Sequence, residues 1–390
     1  MFKTWWIIAW TTCIFGLGVI LDHIEAFQPA GRKLPDVGIV AFAVGLILLI
    51  AGWVRERTSV NHKIKNPPVP QRRPHIVAIG GGTGLSVLLR GLKEFDVNIT
   101  AIVTVADDGG SSGRLRTEFS MPAPGDIRNC LVALADTEPL LEKLWQYRFK
   151  SGEGLAGHTF GNLFLAAMMH VTGDFESAVR EANRVLAVRG RVLPAAADDI
   201  KLIATASDGT EIIGESNIPK AGKAIARLQI DPVDVKPLPE VLQAIEQADI
   251  IVIGPGSLYT SVLPNLLIEG VAERIRNSTA RKIYVCNVMT QPGETDHYYA
   301  SSHVKTIYDH VGDQFFDTIL VNRTDIPDYV LQKYLDQGAK PVEADIEELR
   351  KLGLHVIVRN VLQYSTYARH DPKVLAEIIL SLVKKDTNES

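Results

Sequence analysis

Only three cysteines occur among the 390 residues, at Cys13, Cys130 and Cys286. They lie far apart and form no C-x-x-C pair, which argues against a disulfide framework and against a thiolate zinc site. A reducing compartment suits the main body of such a chain. An excess of one charge sign is also missing. Against 41 Lys and Arg stand 45 Asp and Glu, a net charge of −4, so nothing marks a nucleic-acid binder. The sequence holds no G-x-S-x-G, no H-E-x-x-H and no Cys/His pairing suited to nucleophilic catalysis. No repeat at a fixed period and no low-complexity tract interrupts it.

What the chain has is apolar surface. Hydrophobic residues make up 46%, enough for a sizeable core in one large α/β domain or in two or three smaller ones. The first 60 residues stand apart. Segments 5–21 and 37–54 are almost uncharged. As helices they would each span about 26 Å, enough for a thin bilayer. Pro29, Gly31 and Pro35 break the chain between them. Arg55, Arg57, Lys63, Lys65, Arg72 and Arg73 follow the second segment and place that side in the cytoplasm. Residues 1–60 therefore read as a two-helix transmembrane hairpin, with Lys3 and the N-terminus also inside. The basic residues could also touch anionic lipid. A cleaved signal peptide would not carry the second segment, whereas a buried core hairpin is the plainer alternative. Residues 61–74 are a basic, Pro-rich linker, with "NPPVPQRRP" favouring extended chain.

The main body runs over 75–390. A strand at 75–79, a glycine loop, a helix with Leu85, Leu88, Leu89 and Leu92 on one face, and a strand at 99–105 form a βαβ unit. That unit predicts a parallel sheet. Helices are expected at 126–134, 139–147, 158–170 and 174–186, the last capped by Asp174. Residues 191–218 alternate in polarity around "SDGT" and read as a small antiparallel insertion. After a further strand at 225–230 the α/β rhythm resumes. Strands are expected at 250–253, 282–286, 318–321 and 354–358, and helices at 238–248, 263–276, 297–310, 329–337 and 372–384. The fold class is α/β: a Rossmann-like, doubly wound, mainly parallel sheet with that insertion, behind the hairpin.

Two loops carry the chemistry. Gly80, Gly81, Gly82 and Gly84 stand between strand and helix, where backbone can approach a ligand and free N–H groups favour phosphate. The spacing is neither G-x-G-x-x-G, because Leu85 takes the third slot, nor a P-loop, because no G-K-[ST] follows. An empty tight turn is the plainer reading, but four glycines exceed what a turn needs. The second loop, "IVIGPGSLYTS", repeats the logic with Gly254 and Gly256 before Ser257, Tyr259, Thr260 and Ser261; Tyr259 could stack on a base. Between them "TVADDGGSSGRLR" ends a strand in Asp107 and Asp108. Ligand crevices lie at the carboxyl ends of such strands, so both acids are expected to face the glycine loop. They could accept from a ribose, hold Mg²⁺ beside a phosphate, or merely cap a helix. Arg114 and Arg116 could clamp phosphate or pair with acids. Asn287, Thr290, Gln291 and Glu294 reach the same edge in "NVMTQPGET". Asp126 in "PGDIRN" reads as an ordinary cap, and His158 as structural. His303 and His310 lack an evident third metal ligand.

Six ordered motifs, "IVAIGGGTGLSVLLRGL", "TVADDGGSSGRLR", "PGDIRNCLVALA", "GHTFGNLFL", "VIGPGSLYTSVLPNLL" and "YVCNVMTQPGET", resemble the gluconeogenesis factor family, within the superfamily of 2-phospho-L-lactate transferase. The resemblance covers 75–390 and leaves the hairpin out. It implies a nucleotide-binding body. In the transferase branch a phospholactyl group passes from a guanosine diphosphate donor to a deazaflavin, with Mg²⁺. The gluconeogenesis-factor branch, which the motifs resemble more, has no established reaction. It is associated with binding UDP-sugars, with cell shape on gluconeogenic carbon sources, and with control of wall synthesis. Carried over by motif, Gly80, Gly81, Gly82, Thr83, Gly84, Ser111, Ser112, Gly254, Gly256, Ser257, Tyr259, Thr260 and Asn287 would hold the nucleotide. Asp107 and Asp108 would lie beside the diphosphate or Mg²⁺ and are the catalytic candidates. Tyr334 could stack on uracil and Arg369 could meet a phosphate. The implied partners are a UDP-sugar such as UDP-N-acetylglucosamine, the membrane, cell-wall synthesis proteins and a second copy of the chain. The implied location is a two-pass membrane protein with its main domain cytoplasmic.

Overall fold

The computed structural model describes residues 72–136, 139–312, 315–323, 326–364 and 368–383. The two apolar segments of the expected hairpin lie outside them. Among the described residues no helix is long and apolar enough to cross a membrane.

In chain order the strands are β1 (His75–Gly80), β2 (Asn98–Val103), β3 (Arg191–Pro194), β4 (Lys201–Ala206), β5 (Glu211–Ile213), β6 (Ile225–Asp231), β7 (Ile250–Ile253), β8 (Arg281–Val285), β9 (Thr318–Asn322), β10 (His355–Arg359), β11 (Leu362–Tyr364) and β12 (Ala368–His370), the last two forming a hairpin of their own. Seven of them form one sheet in the order β3-β2-β1-β7-β8-β9-β10. All its pairings are parallel. The central strands are short apolar runs because helices cover both faces. Ile76, Val77, Ala78 and Ile79 of β1 and Ile251, Val252 and Ile253 of β7 are wholly buried. Edge strand β10 is only half-buried. The expected parallel, doubly wound sheet is thus present.

The chain winds outward from β1 to β3 on one side and from β7 to β10 on the other. The direction reverses between β1 and β7, so a crevice opens at their carboxyl ends. Helix α1 (Gly82–Leu92) leaves the glycine turn after β1 and buries Leu85, Leu88, Leu89 and Leu92, the face expected from their spacing. Helices α2 (Gly110–Phe119), α3 (Pro124–Leu134) and α4 (Phe160–Thr172) follow β2. Asp174 does cap the helix Phe175–Val185, accepting from Ser177 N at 2.7 Å.

The antiparallel insertion is real, but its bounds differ from 191–218. Residues Arg191–Pro194 belong to the main sheet as β3, parallel to β2. The insertion is the three-stranded sheet β5-β4-β6, spanning 201–231. An edge strand covered on one face alternates as an antiparallel strand does, and β3 reads half-buried, buried, half-buried, buried. Polarity alone therefore cannot separate the two. The expected helix at 263–276 is also divided. A π-turn at Leu258–Val262 leads into Leu263–Leu266, and the helix Val271–Asn277 follows Gly270.

Candidate functional site

The two glycine turns meet at the switch point around one cavity of about 500 Å³. Asn265, wholly buried, ties them together: its Nδ2 donates to Gly80 O at 3.1 Å and to Ser261 O at 2.7 Å. Glycine is required where the turns touch. A Cβ on Gly84 would lie 2.6 Å from Pro255 O, and one on Gly81 would lie 2.5 Å from Asp126 Oδ2. Gly82 adopts φ +60° and Gly254 φ +79°, both in the region glycine occupies without strain.

Asp107, Asp126 and Glu215 line the cavity, and among the described residues no lysine or arginine does. Burial is the first cause that lifts Asp126, to about 8, with Asp107 and Glu215 adding like-charge repulsion. Glu215 rises to about 7, again by burial first and then by Asp107 and Asp108. Val288, Met289 and Tyr334, which share one apolar cluster, also line the cavity, as does His370. Burial lowers His370 to about 4, while its ring bonds the Cys286 backbone. Its imidazole is therefore neutral at physiological pH. Ser257 is fixed through a relay: Asn287 Nδ2 donates to Gln291 Oε1 at 3.2 Å, and Gln291 Nε2 to Ser257 Oγ at 2.6 Å.

The expected site residues divide into groups. Gly81, Gly82, Thr83, Gly84, Gly256, Ser257, Thr260, Asn287, Tyr334 and Asp107 share this cavity. Gly80 and Gly254 sit just behind it, at the ends of β1 and β7. Asp108 does not join Asp107. Its Oδ1 accepts from Ser216 N at 2.8 Å and so fastens the insertion. Ser111 and Ser112 line a neighbouring cavity that shares Asp107. Tyr259 is turned away: it is 1% exposed, and its hydroxyl donates to Ile225 O at 3.2 Å and bonds Tyr298 Oη at 2.8 Å. The π-turn that carries it points its ring toward the insertion, so it cannot stack on a base in the crevice. The Arg369 side chain lies outside what the structure describes; its backbone pairs with Gln363. Arg116 is buried and bonds Asp199 at 2.5 Å, and Arg114 donates to Ala156 O at 2.8 Å. His310 Nε2 accepts from Leu228 N at 2.9 Å, a structural role. Among the described residues no three His, Cys, Asp or Glu side chains group to hold a metal ion.

Sequence reasoning missed Asp126, Glu215 and His370 as cavity residues. Asp126 left a trace, because "PGD" sets a carboxylate at the first turn of α3, where a plain cap was the simpler reading. Glu215 and His370 left none, since each arrives from a segment distant in the chain.

The profile of the 2-phospho-L-lactate transferase CofD family matches residues 76–362. This chain belongs to that family. It is 55% identical over 315 residues to the gluconeogenesis factor of Bacillus subtilis (strain 168), covering 80% of this chain and 99% of that protein. It is 56% identical over 310 residues to the gluconeogenesis factor of Halalkalibacterium halodurans, covering 79% of this chain and 96% of that protein. A crystal structure of a Bacillus halodurans protein superimposes with a TM-score of 0.78 at 56% identity, covering 79% of this chain and all of that one. The family match, residues 76–362, falls within the body that carries the seven-stranded sheet.

Proposed function

We propose that the chain is a gluconeogenesis factor that binds a UDP-sugar at the switch point and regulates cell shape and wall synthesis during gluconeogenic growth. Segments 5–21 and 37–54 would tether it to the membrane with the body on the cytoplasmic side. The observation that carries the binding half is the meeting of two glycine turns at one cavity, between β1 and β7. Their N–H groups suit a diphosphate, and Tyr334 suits a base. The names of the similar proteins support the regulatory half. Calorimetry of the full-length chain with UDP-N-acetylglucosamine tests this reading. One saturable site is expected, lost in Gly256→Val. No heat at millimolar ligand removes the proposal.

A second reading is a Mg²⁺-dependent transferase of a phosphate-linked group, favoured by the family profile and by the cavity carboxylates. Magnesium is commonly held by one or two carboxylates plus phosphate oxygens. Asp107 and Asp126 fit that need better than Asp107 and Asp108, because Asp108 is committed to Ser216. Bound there, Mg²⁺ would neutralise diphosphate charge and polarise the transferred phosphorus–oxygen bond. The chain's own part would be to orient the donor between the turns. Donor consumption that needs magnesium and vanishes in Asp107→Asn would favour this reading; a nucleotide-binding protein without turnover on nucleoside diphosphate donors would count against it.

A further inference from the structure

Beside the nucleotide cavity lies a second one, of about 260 Å³, with Asp107 in both walls. Its charged lining is two guanidiniums, Arg128 and Arg148, against the single carboxylate of Asp107. Both arginines rest on neutral oxygens. Arg128 donates from Nη1 to Thr159 Oγ1 at 2.5 Å and to Asn162 Oδ1 at 3.0 Å, and from Nη2 to Asn129 Oδ1 at 2.8 Å. Arg148 donates to Gly157 O at 2.6 Å. Neither forms an ion pair among the described residues. Arg128 Nε is buried with no partner at all. The charge of the exposed Arg148 repels that of the more buried Arg128, and an anion between them would offset that repulsion.

A second, independent feature points into the same space. Ser112 is 3% exposed, and among the described residues its hydroxyl makes no hydrogen bond. It lines the cavity from the first turn of α2. Its neighbour differs: Ser111 Oγ bonds His158 Nδ1 at 3.0 Å and accepts from Asn162 Nδ2 at 3.1 Å. Gly125 keeps the space open, because a Cβ there would lie 2.6 Å from Asp107 Oδ2 and would collide with Ser112 Oγ. The Ser112 hydroxyl is therefore free to bond a guest in the cavity.

We propose that this cavity is a second ligand site, separate from the nucleotide cradle, that takes a phosphate group held by Arg128, Arg148 and Ser112. Planar guanidinium donors and a hydroxyl match the oxygens of a tetrahedral dianion. The ligand is inorganic phosphate or the phosphate monoester end of a second small molecule. Asp107, shared by both walls, would then stand between two ligands, so occupancy of one site is felt at the other. The site stands whether or not the nucleotide is a UDP-sugar.

The test is calorimetric titration of the full-length chain with inorganic phosphate and, separately, methyl phosphate, each with and without saturating UDP-N-acetylglucosamine. Saturable phosphate binding is expected in both conditions. Arg148→Ala, an exposed position safe for the fold, should weaken it roughly tenfold or more, and Ser112→Ala severalfold, while Arg148→Ala leaves UDP-N-acetylglucosamine affinity within about twofold. Binding of methyl phosphate identifies a monoester ligand; binding of inorganic phosphate alone identifies the free ion. No saturable phosphate binding overturns the proposal. So does phosphate that UDP-N-acetylglucosamine displaces fully and that ignores Arg148→Ala, since it would then occupy the glycine cradle. If UDP-N-acetylglucosamine itself does not bind, the phosphate titrations still decide.

Discussion

The decisive residues of the cavity are the carboxylates Asp107, Asp126 and Glu215. Asp126 and Glu215 are lifted to about 8 and about 7, so at neutral pH both hold protons for much of the time. A diphosphate favours those protonated forms. In metal-free buffer, affinity for UDP-N-acetylglucosamine should therefore fall as pH rises from 6 to 9. Each pK unit by which the ligand lifts these groups is worth roughly tenfold. Asp126→Asn, which mimics the protonated acid, should flatten the slope. With Mg²⁺ present the decline should disappear, because the cation favours the ionised forms. Calorimetry across pH with the unaltered protein and Asp126→Asn checks the sign. An affinity that rises with pH without metal would contradict it. The glycines were visible in the sequence as an excess over what a turn requires. The carboxylates were not, because Glu215 comes from the insertion and Asp126 has the ordinary look of a helix start.

Elements make contacts that single residues only permit. Gly84 lets α1 begin against the second glycine turn, and a Cβ would meet Pro255 O at 2.6 Å. Gly84→Ala should push the turns apart. The expected result is a loss of nucleotide affinity of tenfold or more, roughly, at a stability cost of about 1–3 kcal/mol; parallel denaturant melts and titrations separate the two effects. Asp174→Ala makes a useful contrast. It removes the cap on the helix Phe175–Val185, should cost about 1 kcal/mol and should leave binding untouched. Strand and helix identities were legible because apolar runs and 3.6-residue spacing report burial. The boundary of the insertion was not, because an edge strand and an antiparallel strand bury alternate residues alike.

Across the whole molecule, the parallel sheet with its crossover between β1 and β7 brings the two glycine turns and Asp107 to one crevice, while Glu215 and His370 come from the segments that form the two smaller sheets. The sequence's alternation of strand and helix implied such a sheet. It did not imply the strand order, which depends on which apolar runs pair, and periodicity carries no such information. The same core protects the thiols. Burial raises Cys130 and holds Cys286 at about 12. In a Cys13→Ser variant, a thiol reagent should label neither cysteine until the protein unfolds. Rapid labelling under native conditions would mean that the core around β8 and α3 is looser than described.

The shared switch-point cavity is tested most directly by a crystal structure of the full-length chain with UDP-N-acetylglucosamine bound. The diphosphate should lie between the turns at Gly82 and Gly256, with the uracil toward Tyr334 and His370. A nucleotide found anywhere else, with those turns apart or vacant, would contradict the account.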